Sequence, residues 1–256
     1  MLEKIEYEYY ESVDSTNERI KERARQGAKE GLTISAMQQT AGRGRIGRKW
    51  ESPPNECVAT SMLLYQGDIP RAAIPSITIL CGLAVRSALH KLYGLECQIK
   101  WPNDIVVHGK KICGILVEYE TLSNGESYLI LGIGVNVHQH KFVKEIADKA
   151  TSIELEIDKK YEKRIHRKEI VEEIWKSFLE YFNQFVVYNN LCCFKKEYEK
   201  YLVNRGERVR IENPHNTYEA VALGISKSGG LLVEVNGEHR EIKNFEVSVR
   251  GLYGYV

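Results

Sequence analysis

The sequence has almost no net charge, 36 Lys and Arg against 35 Asp and Glu, +1 overall, which excludes a generally basic nucleic-acid coat and an acidic disordered tail. Any charged site must be local. There is no run of about 18 or more apolar residues and no apolar core behind the charged start Met-Leu-Glu-Lys, so neither a membrane span nor a secretory leader is expected, and the setting is read as cytoplasmic. The six cysteines include no Cys-x-x-Cys pair and sit mostly in apolar runs, as reduced, buried thiols do; neither a zinc site nor a disulfide frame is supported. Also missing are Gly-x-x-x-x-Gly-Lys-Ser/Thr, a Gly-x-Gly-x-x-Gly turn leading into a helix, a serine nucleophile elbow and any internal repeat. That leaves no P-loop, no Rossmann nucleotide site and no covalent serine chemistry.

What is present is 43% hydrophobic and 28% charged, over a length that suits one sizeable domain and a small one. Alternation around Ile5, Tyr7 and Tyr9 predicts a strand, and Ser15 with Glu18 offers a capping box for a helix to about Arg25, closed by Gly27. Ser15, Thr16 and Asn17 either cap that helix or cup a polar ligand at its N-terminus, and the two roles are compatible. Strands are expected over 32–37 and 57–65, a buried helix over 71–92 with Gly94 beyond it, strands over 97–101, 105–107, 111–119 and 128–137, and helices over 167–186 and 191–201. From Glu207 the texture changes to short alternating runs between turns at Asn213-Pro214, Ser228-Gly229-Gly230 and Asn236-Gly237. That pattern predicts a small β barrel, with a domain boundary near residue 205.

Between the second and third strands lies Gln39-Thr-Ala-Gly-Arg-Gly-Arg-Ile-Gly-Arg-Lys-Trp50, where Gly42, Gly44 and Gly47 alternate with Arg43, Arg45, Arg48 and Lys49. The glycines permit positive φ and close approach, and the cations want an anion. A solvated turn, an RNA-contacting arginine segment and an anion-binding lid all use such residues. A single copy between apolar strands, ending in a tryptophan suited to cover an adenine ring, favours the lid. Lys100 and Lys111 are either solvated or aimed into one pocket by adjacent strands. Asp104 either holds Mg²⁺ near phosphates or caps a turn, and Asn136, polar in an apolar strand, either braces the sheet or faces ligand. His138 and His140 share a strand face without an obvious third metal ligand. Cations, amides and one carboxylate are equipment for charge stabilisation in phosphoryl or nucleotidyl transfer.

Five blocks together resemble biotin protein ligases of the bacterial BirA type: Ser15-Thr16-Asn17; Gln39 with Gly42 to Trp50; Lys100-Trp101-Pro102-Asn103-Asp104; Lys111-Ile112-Cys113-Gly114-Ile115-Leu116-Val117-Glu118; and Gly132-Ile133-Gly134-Val135-Asn136. They fall in the family's order across most of residues 5–140. The resemblance implies an α/β (α+β) catalytic domain over 1–205, class II synthetase-like, with a mixed central sheet and flanking helices, and an SH3-like β barrel over 206–256. It implies attack of the biotin carboxylate on ATP to give biotinyl-5′-adenylate, with Mg²⁺ required, then transfer to a lysine of a biotin carboxyl carrier protein. By position, Ser15, Thr16, Asn17, Gln39, Arg43, Gly44, Arg45 and Lys111 would hold biotin and its adenylate; Arg45, Trp50, Lys100, Asn103 and Asn136 the nucleotide; and Asp104 the metal. Lys111, Arg45 and Lys100 would carry the catalysis.

Many relatives carry an N-terminal winged helix-turn-helix. Here the catalytic strand begins almost at Met1, so no DNA partner is expected, and the chain is read as monomer or homodimer. Phe245 stands where a glycine is usual before the last barrel strand. A lipoate or octanoate ligase or transferase of the related fold is the alternative, but its arginine pair and glycine block ahead of the catalytic lysine are missing. A non-catalytic nucleotide- or RNA-binding module would not need both lysine-bearing blocks.

Overall fold

Alternation along one strand divides the molecule. In β7 (Ser127–Asn136), Leu129, Leu131, Ile133 and Val135 enter the main core, while Tyr128 and Ile130 enter a smaller core on the opposite face, where Gly132, Gly134 and Asn136 follow. The computed structural model describes residues 2, 4–158, 165–213, 216–243, 247–252 and 255–256. Pro214, in an expected turn, and Phe245, before the last expected strand, lie outside them.

β7 is central in a seven-stranded sheet of β1 (Glu6–Tyr10), β2 (Leu32–Ala36), β3 (Cys57–Tyr65), β7, β6 (Lys110–Thr121), β5 (Asp104–Val107) and β4 (Gln98–Lys100), in that spatial order. β1 and β2 run parallel and every other pair is antiparallel, which makes the sheet mixed as expected. Helix α2 (Pro75–Tyr93) lies across the main-core face, and α4 (Arg167–Tyr188) packs on it with Ile170, Ile174, Trp175, Phe178 and Phe185. α2 starts on Pro75 and stops at Gly94, whose φ of 69° is the left-handed conformation a helix end needs. With the short turn before it, α2 has the length and mean hydropathy (1.7) of a membrane span, contrary to the expectation that its apolar run falls short; 67% of that window is buried inside the protein.

On the opposite face, α1 (Thr16–Arg25) covers only the Tyr128 half of β7 with Ile20 and Ala24. The glycine half is left for the cleft. A short α3 (Ile153–Glu156) follows β7, and the helix expected over 191–201 shortens to α5 (Lys195–Tyr201) behind a turn that opens at Asn189, φ 50°. The C-terminal strands β8 (Arg208–Asn213), β9 (Asn216–Ile225), β10 (Leu231–Val235), β11 (Glu238–Ile242) and β12 (Ser248–Gly251) pair antiparallel in the order β11-β10-β9-β8-β12. This sheet shares the main core, and its 226–230 turn is tied down where the Trp101 indole donates to Gly229 O at 2.9 Å.

Candidate active site

The cleft floor is a flat patch of glycine. Gly114 on β6 and Gly134 on β7 are paired across the strands, and a Cβ on Gly134 would stand 2.5 Å from the Trp50 indole and one on Gly114 3.0 Å from it. A Cβ on Gly132 would meet Asn17 Oδ1 at 2.3 Å. These glycines are there for close approach. Trp50 lies on the floor with its indole N–H buried and unpartnered among the described residues. The inner cleft is thereby reduced to about 50 Å³, while the hollow under the loop holds about 820 Å³. Only the outer volume matches a small-molecule site, so a ligand reaching the floor must displace the indole.

The capping box does not form. Ser15 has the extended backbone of an N-cap but its hydroxyl makes no cap bond, and Glu18 turns instead to Arg43 and to Lys21 at 3.4 Å. The first helical amide, of Thr16, donates to Gln39 Oε1 at 2.8 Å, a cap delivered from the loop 23 residues away. Asn17 donates to Glu118 Oε2 at 2.6 Å and accepts from Ser61 Oγ, also at 2.6 Å. Ser61 and the partnering role of Glu118 were not predicted. Ser61 and its neighbour Thr60 are the two aliphatic hydroxyls in a largely apolar strand, and Glu118 ends the quoted lysine-bearing block, so both Ser61 and Glu118 left a signal in the sequence.

The loop is a small hairpin. Gly44 N donates to Arg48 O at 2.7 Å and Trp50 N to Gly42 O at 3.0 Å, with Ile46 (φ 54°) and Gly47 (φ 68°) at the tip, the two positive φ values of a type I′ turn. A Cβ on Gly42 would strike Trp50 O at 2.4 Å. Gly42 and Gly47 thus serve the hairpin's geometry rather than a hinge. Arg43 is held by Glu18 and by Glu118 at 3.2 Å. Arg45 donates to Asn103 Oδ1 at 2.6 Å and to Val247 O at 3.3 Å, and burial lowers the pKa of its guanidinium against the opposing pull of Asp104. Arg48 reaches Ser248 Oγ at 3.3 Å, so the hairpin leans on the C-terminal sheet.

Lys111 reaches this face through a bulge. Its register with β5 shifts so that Val106 faces Lys111 rather than Ile112, and its Nζ meets Asp104 Oδ1 at 2.6 Å and lies 5.5 Å from the Trp50 ring centre. Burial alone would raise the Asp104 carboxyl, but Lys111 and Lys100 outweigh it and hold it below its ordinary range. Lys100 is only 4% exposed, and burial pushes its ammonium down to about 7, with Arg250 and Lys111 adding to the shift and Asp104 opposing it.

Ser15, Thr16, Asn17, Gln39, Arg43, Gly44, Arg45, Trp50, Asn103 and Lys111 line one cleft. Lys100 and Asp104 sit beside it behind Lys111. Asn136 does not line it: its amide donates to Thr151 O at 2.9 Å, the bracing alternative, although it shares the face of Gly134. Magnesium finds no cage, since no three His, Cys, Asp or Glu side chains converge among the described residues and Asp104 is already held by Lys111 and the Tyr255 hydroxyl. A cation arriving with a nucleotide would have to take its other ligands from phosphates and water. His138 and His140 both pair with Glu154, at 2.6 and 3.3 Å.

Residues 9–136 match the biotin/lipoate A/B protein ligase family, and residues 206–250 match the biotin protein ligase C-terminal domain. The bifunctional ligase/repressor BirA of Bacillus subtilis is 32% identical over 94% of this chain and 73% of its own length. The biotin–[acetyl-CoA-carboxylase] ligase of Mycobacterium tuberculosis is 30% identical over 87% of this chain and 81% of its own. The biotin protein ligase of Aquifex aeolicus, solved with biotin and ATP, superposes with a TM-score of 0.82 at 31% identity, covering 96% of this chain and 98% of that one. By sequence over most of its length, and by fold, this chain belongs to the biotin/lipoate A/B protein ligase family.

Proposed function

We propose that the chain is an ATP-dependent biotin protein ligase: it joins the biotin carboxylate to the α-phosphate of ATP, releasing pyrophosphate, and passes biotin from the adenylate to a lysine of a biotin carboxyl carrier protein. The observation that carries this reading is the convergence of the α1 start, the arginine hairpin and Lys111 on one glycine floor. Biotin rather than lipoate is supported by the C-terminal match and by relatives named as biotin ligases.

Two anions must meet, so cations must stand where their charges combine. Lys111 exchanges Asp104 for the biotin carboxylate and α-phosphate, and Arg45 closes from the hairpin side. Arg43 and the Ser15–Asn17 amides and hydroxyls take the polar end of biotin, with Gln39 fixing the helix start. Trp50 leaves the floor formed by Gly114 and Gly134, and the adenine takes the flat place with the indole over it. The closed hairpin keeps water from the anhydride until the acceptor lysine attacks. Lys100 and Asn103 serve the nucleotide side, Asn136 by bracing the strand there. We assign residues 1–205 to the catalytic domain and 206–256 to an SH3-like domain, a division supported by the second match starting at residue 206. Free cysteines and ATP as substrate support a cytoplasmic setting.

The test is exchange of labelled pyrophosphate into ATP. Exchange that depends on biotin is expected, and exchange driven by lipoate but not biotin would overturn the assignment.

A further inference from the structure

Behind Lys111 an aromatic ring sits among cations. Tyr255, from the segment after β12, covers Lys100 with its Nζ 3.5 Å from the ring centre, and the Arg250 guanidinium stands 5.7 Å from the same ring. The Tyr255 hydroxyl donates to Asp104 Oδ2, while the other oxygen of that carboxylate meets Lys111 at 2.6 Å. Val256 packs beside Gly109 in the β5–β6 turn, where a Cβ would lie 3.3 Å from its side chain.

Lys100, Lys111 and Arg250 face the Asp104 carboxylate, and Arg250 also meets Glu212 at 3.8 Å, so three cations against two carboxylates leave positive charge in excess around the ring. Burial penalises that excess, and it is the main reason the Lys100 ammonium falls to about 7. A cluster built this way wants a further anion at Lys100, yet the space facing Lys100 is taken by a neutral ring. Lys100 is 4% exposed because that ring closes it off, so no phosphate oxygen reaches its ammonium while Tyr255 is seated. A ring face satisfies a cation only partly; charge-assisted hydrogen bonds to phosphate are stronger than cation–π contacts.

We propose that Tyr255 is a gate residue of the nucleotide site, its ring holding the place of the terminal phosphates between Lys100 and Arg250 and leaving when a triphosphate enters. This rests on the assignment of the cleft to ATP. The ring works as an internal competitor: apparent triphosphate affinity is reduced by the fraction of molecules in which the gate is open, so a ring seated about nine-tenths of the time costs about tenfold. Ligands without terminal phosphates, such as AMP and biotin, do not compete with it.

The experiment is calorimetric titration of the full chain with ATP, AMP, inorganic triphosphate and biotin, in the wild type, Tyr255→Phe and Tyr255→Ala. Tyr255→Ala is expected to bind ATP and inorganic triphosphate about tenfold tighter, with AMP and biotin changed by less than about twofold. Tyr255→Phe keeps the ring but loses the bond to Asp104, and is expected to tighten ATP about threefold. It serves alone if the alanine variant does not fold. Weaker ATP binding in either variant, or equal gains for AMP and ATP, would overturn the gate. A wild type that does not bind ATP sinks the nucleotide assignment itself, whereas ATP binding that neither variant improves sinks only the gate.

Discussion

Lys111 and Asp104 form an ion pair at 2.6 Å on the cleft face only because a bulge turns Lys111 away from the apolar core that strict alternation from Cys113 would give it. The pair fixes the lysine in the resting enzyme and leaves it a better partner to accept. Lys111→Ala should lower the single-turnover rate of adenylate formation on the order of 10²-fold or more, the size expected when one positioned electrostatic contact is lost. The same change strips a buried carboxylate of its nearest cation, so the urea midpoint should fall by the equivalent of about 1–2 kcal/mol. Adenylate formation at a near-normal rate would remove Lys111 from the catalytic list.

Gly134 admits no side chain while Trp50 is seated, since its Cβ would lie 2.5 Å from the indole. Gly134→Ala should therefore push the ring off the floor. The protein has three tryptophans, and Trp101 and Trp175 are buried in the core, so a red shift in emission reports Trp50. The methyl also narrows the place assigned to adenine, and the KM for ATP should rise at least about tenfold with biotin binding retained. Unchanged emission would show that the indole does not rest on this glycine in solution.

The parts of the fold with one strong periodicity are legible in the sequence: β3 to the residue, α4 within two residues, α2 within one residue at its C-terminal end although it starts at Pro75 and not at 71, and the C-terminal strands as short alternating runs. What failed was local chemistry overruled from a distance. Ser15 and Glu18 spell a capping box, but Gln39 reaches the helix amide first and Arg43 claims the glutamate. The close approach that the loop glycines permit is realised at Gly42 against Trp50 O, and Gly114, quoted only within the lysine-bearing block, is also tightly placed, against Trp50 and Lys111. The bulge at Lys111 leaves no trace in residue type, and Tyr255 lies 151 residues from the aspartate it bonds, beyond the reach of any local pattern.

Lys100 makes a prediction about pH whose sign is opposite to that of an ordinary ion pair. Its folded pKa, about 7, lies below the ordinary lysine value of 10.5. Between these values the unfolded chain binds the proton that the folded chain has released, so this residue's contribution to stability rises with pH; below about 7 both states are protonated and the burial penalty is felt in full. From pH 7 to pH 9 the gain is about 2 kcal/mol. Urea unfolding at both pH values should show that rise in the wild type and lose it in Lys100→Met, which keeps the stem without the charge. Equal pH dependence in the two proteins would rule out the depressed lysine.

Arg45 separates making the adenylate from keeping it. Its guanidinium bridges the hairpin to Asn103 at 2.6 Å and to Val247 O at 3.3 Å, spanning both sheets, whereas Lys111 sits on the strand floor independently of the hairpin. Removing the arginine unlatches the hairpin and leaves the floor cation in place. Arg45→Gly should still support biotin-dependent pyrophosphate exchange, slowed by loss of one charge, but should leak the adenylate. The measurable consequence is biotin on lysines of a bystander protein such as serum albumin, at levels that rise with bystander concentration and are absent with wild type. An Arg45→Gly enzyme that forms adenylate and retains it as tightly as the wild type would mean that closure depends on Trp50 and the Arg43 contacts to Glu18 and Glu118, and not on this latch.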